Sequence, residues 1–582
     1  MRRIPIAAAV AAVACLIPLA AAGSIATAAS HSHPAKVTYH GKRGSVTRLA
    51  HSASVKGLKV VKSKLTTHER NRLTRFRSPA GAAPAVARAH APKVAAKSIK
   101  RLGAVRADGG LVTHAFNGLS QLDSQNLFGP DSPITPPDQG LCAGHDSNRA
   151  GNPSVIWEPV NLVAQETTPA GKPLSPIEDG ATLWQDPFSS GDIRCLYDPS
   201  TQSFYFTEIG FPIATGPASD DNNTTADVLV MNRHGVAAYQ FDTSLGGPSA
   251  GDCFGDQPKV GFDNNALVIS TDEFCNPAET DFEGAIALVI SKSQLVHEDA
   301  TVNDAVLGPV SLAGNPVTGL DPAIDTGSGT EYLVNSVPFL ADGSNNPVGN
   351  TLGLWTLRNT ASVTTGVGSP TLTSKVLPSE NYAFPVPATS TGDGSTFTDR
   401  EFTITSETAL NPDDSRISGP VNVSDGSAGL RLWTSLDAAV TPAGDPAVRD
   451  GAAWFEINPA SQRIVDQGYV AARGANLLYP ANETRAGVAG MTFTITGPTI
   501  NPSIGFTTLG SRFITDLVPG TSPHQSFSDS PPFNSARWGD YSFAVPDPDG
   551  PGMWFATEYI PPKAEQAVDD NWGTFVFELN GR

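Results

Sequence analysis

Six aspartates recur along the second part of this 582-residue chain, each at or near the start of a short apolar run. They are Asp138, Asp192, Asp256, Asp321, Asp414 and Asp540. Carboxylates that converge can hold a hard cation such as Ca²⁺ or supply the acid and base of glycoside chemistry. The same side chains can instead bond backbone N–H groups where turns begin. For a calcium site, the sequence offers four ligands, Asp138, Asp256, Asp321 and Asp540.

A second concentration of chemistry lies on one short segment, Arg537-Trp-Gly-Asp-Tyr541. An arginine beside a carboxylate and two aromatic rings, Trp538 and Tyr541, suits a sugar or a peptide carboxylate, through a bidentate fork and stacking. Together with Asp138, the residues Arg537, Asp540 and Tyr541 are the candidates for catalysis. The alternative is an internal Arg–Asp pair that locks the last structural repeat to the first.

The elements that must position these residues are short strands. Runs of four to seven β-branched or aromatic residues are bounded by Gly, Pro, Asn and Asp, as in Ala266–Ser270 and Phe575–Leu579, which predicts an all-β protein. The pattern of aspartate or proline, strand, turn and apolar partner strand returns about every 54–65 residues. A repeated four-stranded unit must stack on its neighbours to bury its faces, and radial stacking gives a single β-propeller. Seven blades are favoured and six are the alternative; a pair of stacked β-sandwich domains is the rival fold.

Charge divides the chain into regions. Residues 31–107 carry eighteen Lys and Arg against the single acid Glu69, whereas residues 108–582 carry 19 against 56 acids. We expect a signal peptide at 1–28, a basic flexible linker or pro-segment at 29–107 that is disordered, and the propeller at 108–582. An isolated strand at Leu111–Phe116 is expected to pair into the last blade and remove an open edge.

These features bound the location and the partners. An export signal and the lack of a second apolar run of about 20 residues predict a secreted, extracellular protein with no membrane span. Association with the cell wall is possible through the basic segment. The strongly acidic body argues against nucleic acid as a partner. We expect a monomer.

Four cysteines remain after the signal peptide, and export places them in an oxidising compartment. Four cysteines allow three pairings. Cys253 and Cys275 flank a predicted antiparallel hairpin, whose ends must meet. Cys142 and Cys195 follow Asp138 and Asp192 at equivalent places on neighbouring inner strands. The sequence therefore predicts the disulfides Cys142–Cys195 and Cys253–Cys275.

Two regions resemble a family of exported bacterial β-propellers, similar in pattern to sialidase-like and BNR-type propellers. The first is Pro136–Gly144, leading to Val160-Asn161; the second comprises Arg537–Ser542, Asp547–Gly550 and Trp554–Tyr559. The resemblance covers roughly residues 110–580. It implies the fold more than an activity.

Two functions follow as hypotheses. In the first, the propeller binds an extracellular polymer, a glycan before all others, or a protein partner through its acidic channel face. In the alternative, it is a glycoside hydrolase or lyase of sialidase-like architecture that uses carboxylates at the channel mouth. Beyond Ca²⁺, no cofactor is expected.

Overall fold

Strands dominate the computed structural model of this protein, which describes residues 44–64, 88–101, 111–130, 134–189, 191–211, 224–243, 253–275, 281–340, 346–400, 402–426, 429–527, 529–530 and 535–581. The chain divides into two units, residues 1–33 and residues 34–582. The first unit, and with it the predicted signal peptide, lies outside the described residues. All that follows concerns the second unit.

The N-terminal part of this unit contributes four strands to sheets that are otherwise formed by later residues. They are β1 (Gly44–Ser52), β2 (Lys93–Val94), β3 (Ser98–Arg101) and β4 (Val112–Ser120).

The strands that follow form groups of four consecutive antiparallel strands, which we call sheets; hydrogen bonds link the second to the third through β1 and the fourth directly to the fifth. The first contains β5 (Cys142–His145), β6 (Ser154–Val160), β7 (Val163–Thr167) and β8 (Glu178–Asp179). The second contains β9 (Gly191–Asp198), β10 (Ser203–Gly210), β11 (Thr225–Asn232) and β12 (Gly235–Asp242). The third contains β13 (Cys253–Phe262), β14 (Ala266–Cys275), β15 (Asp281–Ser291) and β16 (Thr301–Leu307).

Four more sheets continue the series. The fourth contains β19 (Asp321–Pro322), β20 (Thr330–Asn335), β21 (Val348–Arg358) and β22 (Thr371–Ala383). The fifth contains β27 (Asn422–Gly426), β28 (Gly429–Pro442), β29 (Arg449–Asn458) and β30 (Arg463–Val470). The sixth contains β31 (Asn476–Arg485), β32 (Val488–Gly497), β33 (Ile500–Thr508) and β34 (Phe513–Val518). The seventh contains β38 (Phe543–Pro546), β39 (Met553–Tyr559), β40 (Gly573–Leu579) and β4.

Shorter elements connect the sheets. The helices are α1 (Gln121–Phe128), α2 (Gly180–Trp184), α3 (Lys292–Val296) and α4 (Ser362–Thr365), with 3₁₀ turns at Val55–Gly57 and Lys563–Glu565. The small strands are β17 (Ser311–Leu312), β18 (Asn315–Pro316), β23 (Ala388–Thr389), β24 (Thr396–Asp399), β25 (Phe402–Ser406), β26 (Ala409–Leu410), β35 (Gln525–Ser526), β36 (Asp529–Ser530) and β37 (Ser535–Ala536). No helix in the described part of the chain is long and apolar enough to cross a membrane.

The first strands of successive sheets contact one another around a closed circuit. Strand β5 contacts β9, β9 contacts β13, and β13 contacts β19. The segment before β27 continues the circuit, because the N–H of Ile324 donates to the carbonyl of Val421 (2.9 Å). Strands β27, β31 and β38 then follow, and β38 contacts β5. Sheets arranged around a central channel in this way are the architecture of a β-propeller.

Burial follows from this arrangement. Each sheet packs against its neighbours, so its inner strands are buried along most of their length: β14 is buried at nine consecutive positions, Ala266–Phe274. The fourth strand lies at the rim, and β30 alternates between exposed and half-buried residues. Separate apolar clusters fill the spaces between neighbouring sheets, such as the cluster of Trp157, Phe206 and Leu229 between the first and second.

The seventh sheet is completed from the other end of the chain. Strand β4 pairs antiparallel with β40, with Val112 opposite Leu579 and Ala115 opposite Phe577. The predicted N-terminal strand therefore forms the outer strand of the last sheet and covers the edge of β40.

The basic segment at 29–107 does not match the prediction of a disordered arm wherever it is described. Strand β1 pairs with β12 on one side and with β16 on the other, and so joins the second and third sheets. Strands β2 and β3 lie parallel to β28 and β34. Ion pairs such as Arg101 Nε to Asp516 (3.3 Å) add to the attachment. Composition alone could not reveal this, because the strands gain their hydrogen bonds from edges that the rest of the chain provides.

Both predicted disulfides are present. Cys142 on β5 is bonded to Cys195 on β9, with the Cα atoms 5.6 Å apart. Cys253 and Cys275 stand opposite each other across the β13–β14 hairpin, with the Cα atoms 4.0 Å apart. The first bond joins two sheets and the second closes a hairpin.

Candidate functional site

The predicted aspartates lie at the channel end where the first strand of each sheet begins; we call it the charged end. Two of them, Asp138 and Asp192, have positive φ angles of 47° and 56°, a conformation that aspartate tolerates better than most residues. All six side chains are between 1 % and 7 % exposed. A charge buried this deeply needs a partner or a proton.

Arg537 and Asp540 form one such pair. Nη2 of Arg537 donates to both carboxylate oxygens of Asp540 at 2.7 Å. The Gln257 amide, on β13 of the third sheet, donates to the same carboxylate at 2.9 Å. Gln257 in turn accepts a hydrogen bond from Nη1 of Arg416 (3.1 Å). A polar chain thus crosses the channel from the seventh sheet to the third and on to the segment that precedes β27.

Two further cations are bonded to two of the other aspartates, Asp414 and Asp321. Arg416 donates to both oxygens of Asp414, with Nη2 at 2.8 Å from Oδ2, and lies 3.6 Å from Asp272. Lys259 lies 2.6 Å from Asp321 and also donates to the carbonyl of Ile417 at 3.0 Å. These are buried ion pairs with additional hydrogen bonds.

The sequence analysis missed Arg194, Lys259 and Arg416. A signal for two of them was present: Asp192-Ile-Arg194 and Asp414-Ser-Arg416 each place an arginine two residues after the aspartate. In a strand such as β9, residues i and i+2 lie on the same face. The arginine two residues after an aspartate that faces the channel therefore faces the channel as well.

Burial also raises the pKa of three further acids of the charged end. Burial, followed by the charges of Asp540 and Asp192, raises the pKa of Asp138 well above its usual range. Burial and the charge of Asp540 raise the pKa of Asp192 to about 6, against the opposing charge of Arg194. Burial raises the pKa of Glu558 to about 8, although Gln139 donates to its carboxylate at 2.6 Å. The aspartates with a bonded cation, Asp321, Asp414 and Asp540, therefore share the charged end with acids whose pKa is raised by burial.

The two aromatic residues of the Arg537–Tyr541 segment lie in different surroundings. Tyr541 lies beneath the guanidinium of Arg194, 3.7 Å from the ring centre, within the charged end. Trp538 donates its Nε1–H to Thr494 (3.1 Å) and packs edge-on against His524 in the core. The structure therefore gives no support to Trp538 as a binding residue.

The calcium prediction also lacks support. Among the described residues, no group of three or more His, Cys, Asp or Glu side chains is placed to hold a metal ion. Two of the four expected ligands, Asp321 and Asp540, are already bonded to Lys259 and Arg537. Asp256 accepts a hydrogen bond from the Gln257 N–H (3.0 Å), as in the turn-capping alternative.

The opposite end of the channel contains a cavity of about 170 Å³, which we call the open mouth. Six of the seven sheets contribute to it through residues of their first strands or residues that directly follow them. Its lining residues are Cys142, Ala143, Leu196, Tyr197, Pro199, Ile324, Asp325, Asn422, Val423, Glu483, Arg485, Val545, Pro546, Asp547 and Pro548.

Polar groups of the open mouth are accessible. Tyr197, Asp325, Arg485 and Asp547 are half-buried, in contrast to the aspartates of the charged end. Burial raises the pKa of Glu483 to about 8, against the Thr484 N–H and the charge of Arg485. Sequence reasoning did not single these residues out, because no repeated pattern marks the ends of the first strands.

Comparison with protein-family models and with curated proteins finds no match. Solved structures to which the chain is similar include an arginine-to-alanine mutant of AofleA from Arthrobotrys oligospora, at 10 % identity and TM-score 0.32, covering 75 % of this chain and 99 % of the other. The GH43_1 enzyme from Xanthomonas citri complexed with xylose has 12 % identity and TM-score 0.28, with 57 % and 89 % covered. Trypanosoma rangeli sialidase in complex with sialic acid has 11 % identity and TM-score 0.29, with 65 % and 52 % covered.

These neighbours include a sialidase and a GH43_1 enzyme. All three TM-scores are below 0.5. The assignment of the fold therefore rests on the strand pairing within this chain.

Proposed function

We propose that this protein is a secreted, monomeric, seven-bladed β-propeller that binds the end of an extracellular glycan in the open mouth. The seven four-stranded sheets and their circuit of first strands support the blade count. The two disulfides are compatible with an oxidising location outside the cell.

One observation carries the choice of site. The open mouth is a cavity with half-buried polar side chains, whereas the aspartates of the charged end are buried, and Asp321, Asp414 and Asp540 are bonded to cations of the protein. A ligand can reach Tyr197 and Asp547 without breaking an internal ion pair. At the charged end it would first have to separate Arg537 from Asp540.

The lining indicates the class of ligand. Carboxylates accept hydrogen bonds from sugar hydroxyl groups, an arginine donates to them, and the Tyr197 ring offers an apolar face to C–H groups. Two half-buried acids, Asp325 and Asp547, face the single cation Arg485, whereas Glu483, whose pKa is raised to about 8, adds little negative charge at pH 7. This excess of acids favours a neutral or amine-bearing sugar over an acidic one. A cavity of about 170 Å³ is below the roughly 300 Å³ at which sites for larger ligands begin, so one terminal sugar unit is the expected occupant.

Hydrolysis by the residues predicted for it has less support. Asp138, Arg537, Asp540 and Tyr541 are all buried, and Arg537 is fully engaged in holding Asp540. An acid–base pair must be within hydrogen-bonding reach of its substrate. We therefore propose binding without turnover.

Titration calorimetry on the full chain tests this proposal with three probes: cellotriose, which is neutral, chitosan triose, which carries amines, and trigalacturonate, which is acidic. The first two are expected to bind with Kd on the order of 1 mM, and the third is not. Asp547→Asn should weaken binding of the amine-bearing probe about tenfold, since it removes one negative charge from the lining. The matched control, Asp466→Asn on the exposed rim strand β30, should leave affinity unchanged. A preference for trigalacturonate, or equal effects of the two substitutions, would contradict the proposal.

A further inference from the structure

A second cavity, of about 230 Å³, lies away from the channel between the first and second sheets. It is formed by the β5–β6 turn, by strands β6, β7, β10 and β11, and by the 3₁₀ turn of the basic segment. Its lining residues are Ser54, Val55, Lys56, Asp146, Ser147, Asn148, Arg149, Trp157, Glu166, Ser175, Phe204 and Met231.

One wall of this cavity is apolar. Trp157 from β6, Phe204 from β10 and Met231 from β11 contribute to it, and Val55 adds to it from the basic segment. Trp157 is held by edge-on packing against Phe206, with ring centres 5.3 Å apart. A wall of fixed aromatic side chains suits the C–H face of a sugar ring.

The other wall is polar and equally well fixed. Nε of Arg149 donates to Glu166 at 3.2 Å and lies 2.8 Å from Asp146, while Nη2 donates to the carbonyl of Leu174 at 3.2 Å. The Ser147 hydroxyl oxygen beside them is buried and has no hydrogen-bond partner in the described part of the chain. This wall therefore combines an ordered donor, ordered acceptors and a hydroxyl group that is free to bond a ligand.

The charges of the cavity balance. Arg149 and Lys56 face Asp146 and Glu166, so the lining has no net charge, unlike the acidic open mouth. A neutral ligand with one hydroxyl-rich face and one apolar face matches both walls.

We propose that this cavity is a second binding site, for a single neutral sugar residue, between the first and second sheets. The sugar ring lies against Trp157 and Phe204, and its hydroxyl groups bond Ser147 and the Arg149–Asp146 pair. The basic segment completes the site, because Ser54–Lys56 forms one side of it and strand β1 holds that segment against β12. The site stands independently of the open mouth, so a polymer with several neutral units could contact both.

The methionine methyl groups provide a local readout in the full chain, which has only four methionines: Met1, Met231, Met491 and Met553. With ¹³C-methyl methionine, we expect the Met231 signal to shift on titration with methyl glycosides of glucose, galactose, mannose and fucose. Met491 and Met553 lie in the cores of the sixth and seventh sheets and should not shift. A Kd on the order of 1 mM is expected for at least one glycoside.

Ser147→Phe fills the cavity and should weaken this binding at least tenfold. The matched control, Ser461→Phe, makes the same change in an exposed turn before β30 and should have no effect. The inference would be overturned if Ser147→Phe left the binding intact. It would also be overturned if the Met231 signal did not shift at a glycoside concentration of about 50 mM, which is roughly 50 times the expected Kd. If Ser147→Phe does not fold, the Met231 titration of the unmodified chain decides. Asp547→Asn separates the two sites: it should leave the Met231 shift unchanged, whatever its effect at the open mouth.

Discussion

The two ends of the channel are formed by the same sheets but differ in how deeply their polar side chains are buried. At the charged end, Lys259, Arg416 and Arg537 bond the buried carboxylates of Asp321, Asp414 and Asp540. At the open mouth, Tyr197 and Asp547 line a cavity and remain half-buried. The comparison shows that a concentration of charged residues marks a structural lock in this protein, whereas the site suited to a ligand has fewer charges and more space.

The largest expected difference between the two ends is in the free energy of unfolding that is lost when a single cation is replaced. Lys259→Met should lower the free energy of unfolding by about 3–5 kcal/mol, because it leaves the Asp321 carboxylate buried without its partner. Arg485→Gln, at the open mouth, should change it by less than about 1 kcal/mol, because this side chain is half-buried and hydrated. Urea unfolding of both variants measures the difference.

A second substitution tests the reason for that loss. Lys259→Met combined with Asp321→Leu should recover a large part of the stability, since both buried charges are then absent. Equal destabilisation by Lys259→Met and Arg485→Gln would remove the distinction between the two ends.

Removing each of the two disulfides should also lower stability by unequal amounts, with a smaller difference between them than between the two cation variants. Replacing Cys142 and Cys195 by alanine removes a bond that joins two sheets beside the open mouth and closes 53 residues. Replacing Cys253 and Cys275 removes a bond that closes 22 residues within a paired hairpin. Each loss should cost about 2–4 kcal/mol, and the loop-entropy account makes the first larger by roughly 0.8 kcal/mol. Thermal unfolding of the two double variants should show the lower Tm for Cys142→Ala/Cys195→Ala, and the reverse order would contradict the account.

Stability should fall as pH rises. Burial raises the folded-state pKa of Glu558 to about 8, whereas the unfolded chain titrates near its ordinary value of 4.5. The folded state thus binds one more proton between these pKa values. The stabilisation is complete below about pH 4.5 and is lost as pH rises towards 8, at about 1.4 kcal/mol per pH unit.

Glu558→Gln isolates this contribution. The amide resembles the protonated acid, so the variant should show a shallower decline of the free energy of unfolding from pH 5 to pH 8 than the unmodified chain. Urea titrations at each pH measure it. An unchanged slope would mean that Glu558 is not neutral in the folded protein.

The smallest effect on stability is expected at the open mouth. Asp325 has a φ angle of 57°, which asparagine tolerates as well, so Asp325→Asn should change the free energy of unfolding by less than about 0.5 kcal/mol. The same variant should weaken binding of chitosan triose through the loss of charge. A large loss of stability would show that Asp325 at the open mouth also stabilises the fold.

Much of the fold could be predicted from local patterns. Short β-rich runs at a regular spacing indicated stacked four-stranded sheets, and the hairpin register placed Cys253 opposite Cys275. The Arg537–Asp540 pair was foreseen as one of two alternatives. Strand pairing within a hairpin depends on neighbours in the chain, so a sequence can reveal it.

What the sequence alone determined is therefore the repeated unit: its strands, its turns, its cysteine positions and the aspartate that opens it. The tertiary structure alone decided that Lys259 neutralises Asp321, because the two residues lie on different sheets. It also decided that Gln257 links the Arg537–Asp540 pair to Arg416 across the channel. It also decided that β1 joins β12 to β16, because an edge strand can be recognised only when the edges it covers exist. The same reason applies to both cavities: each lies where several sheets meet, and no local pattern in the chain describes the space between them.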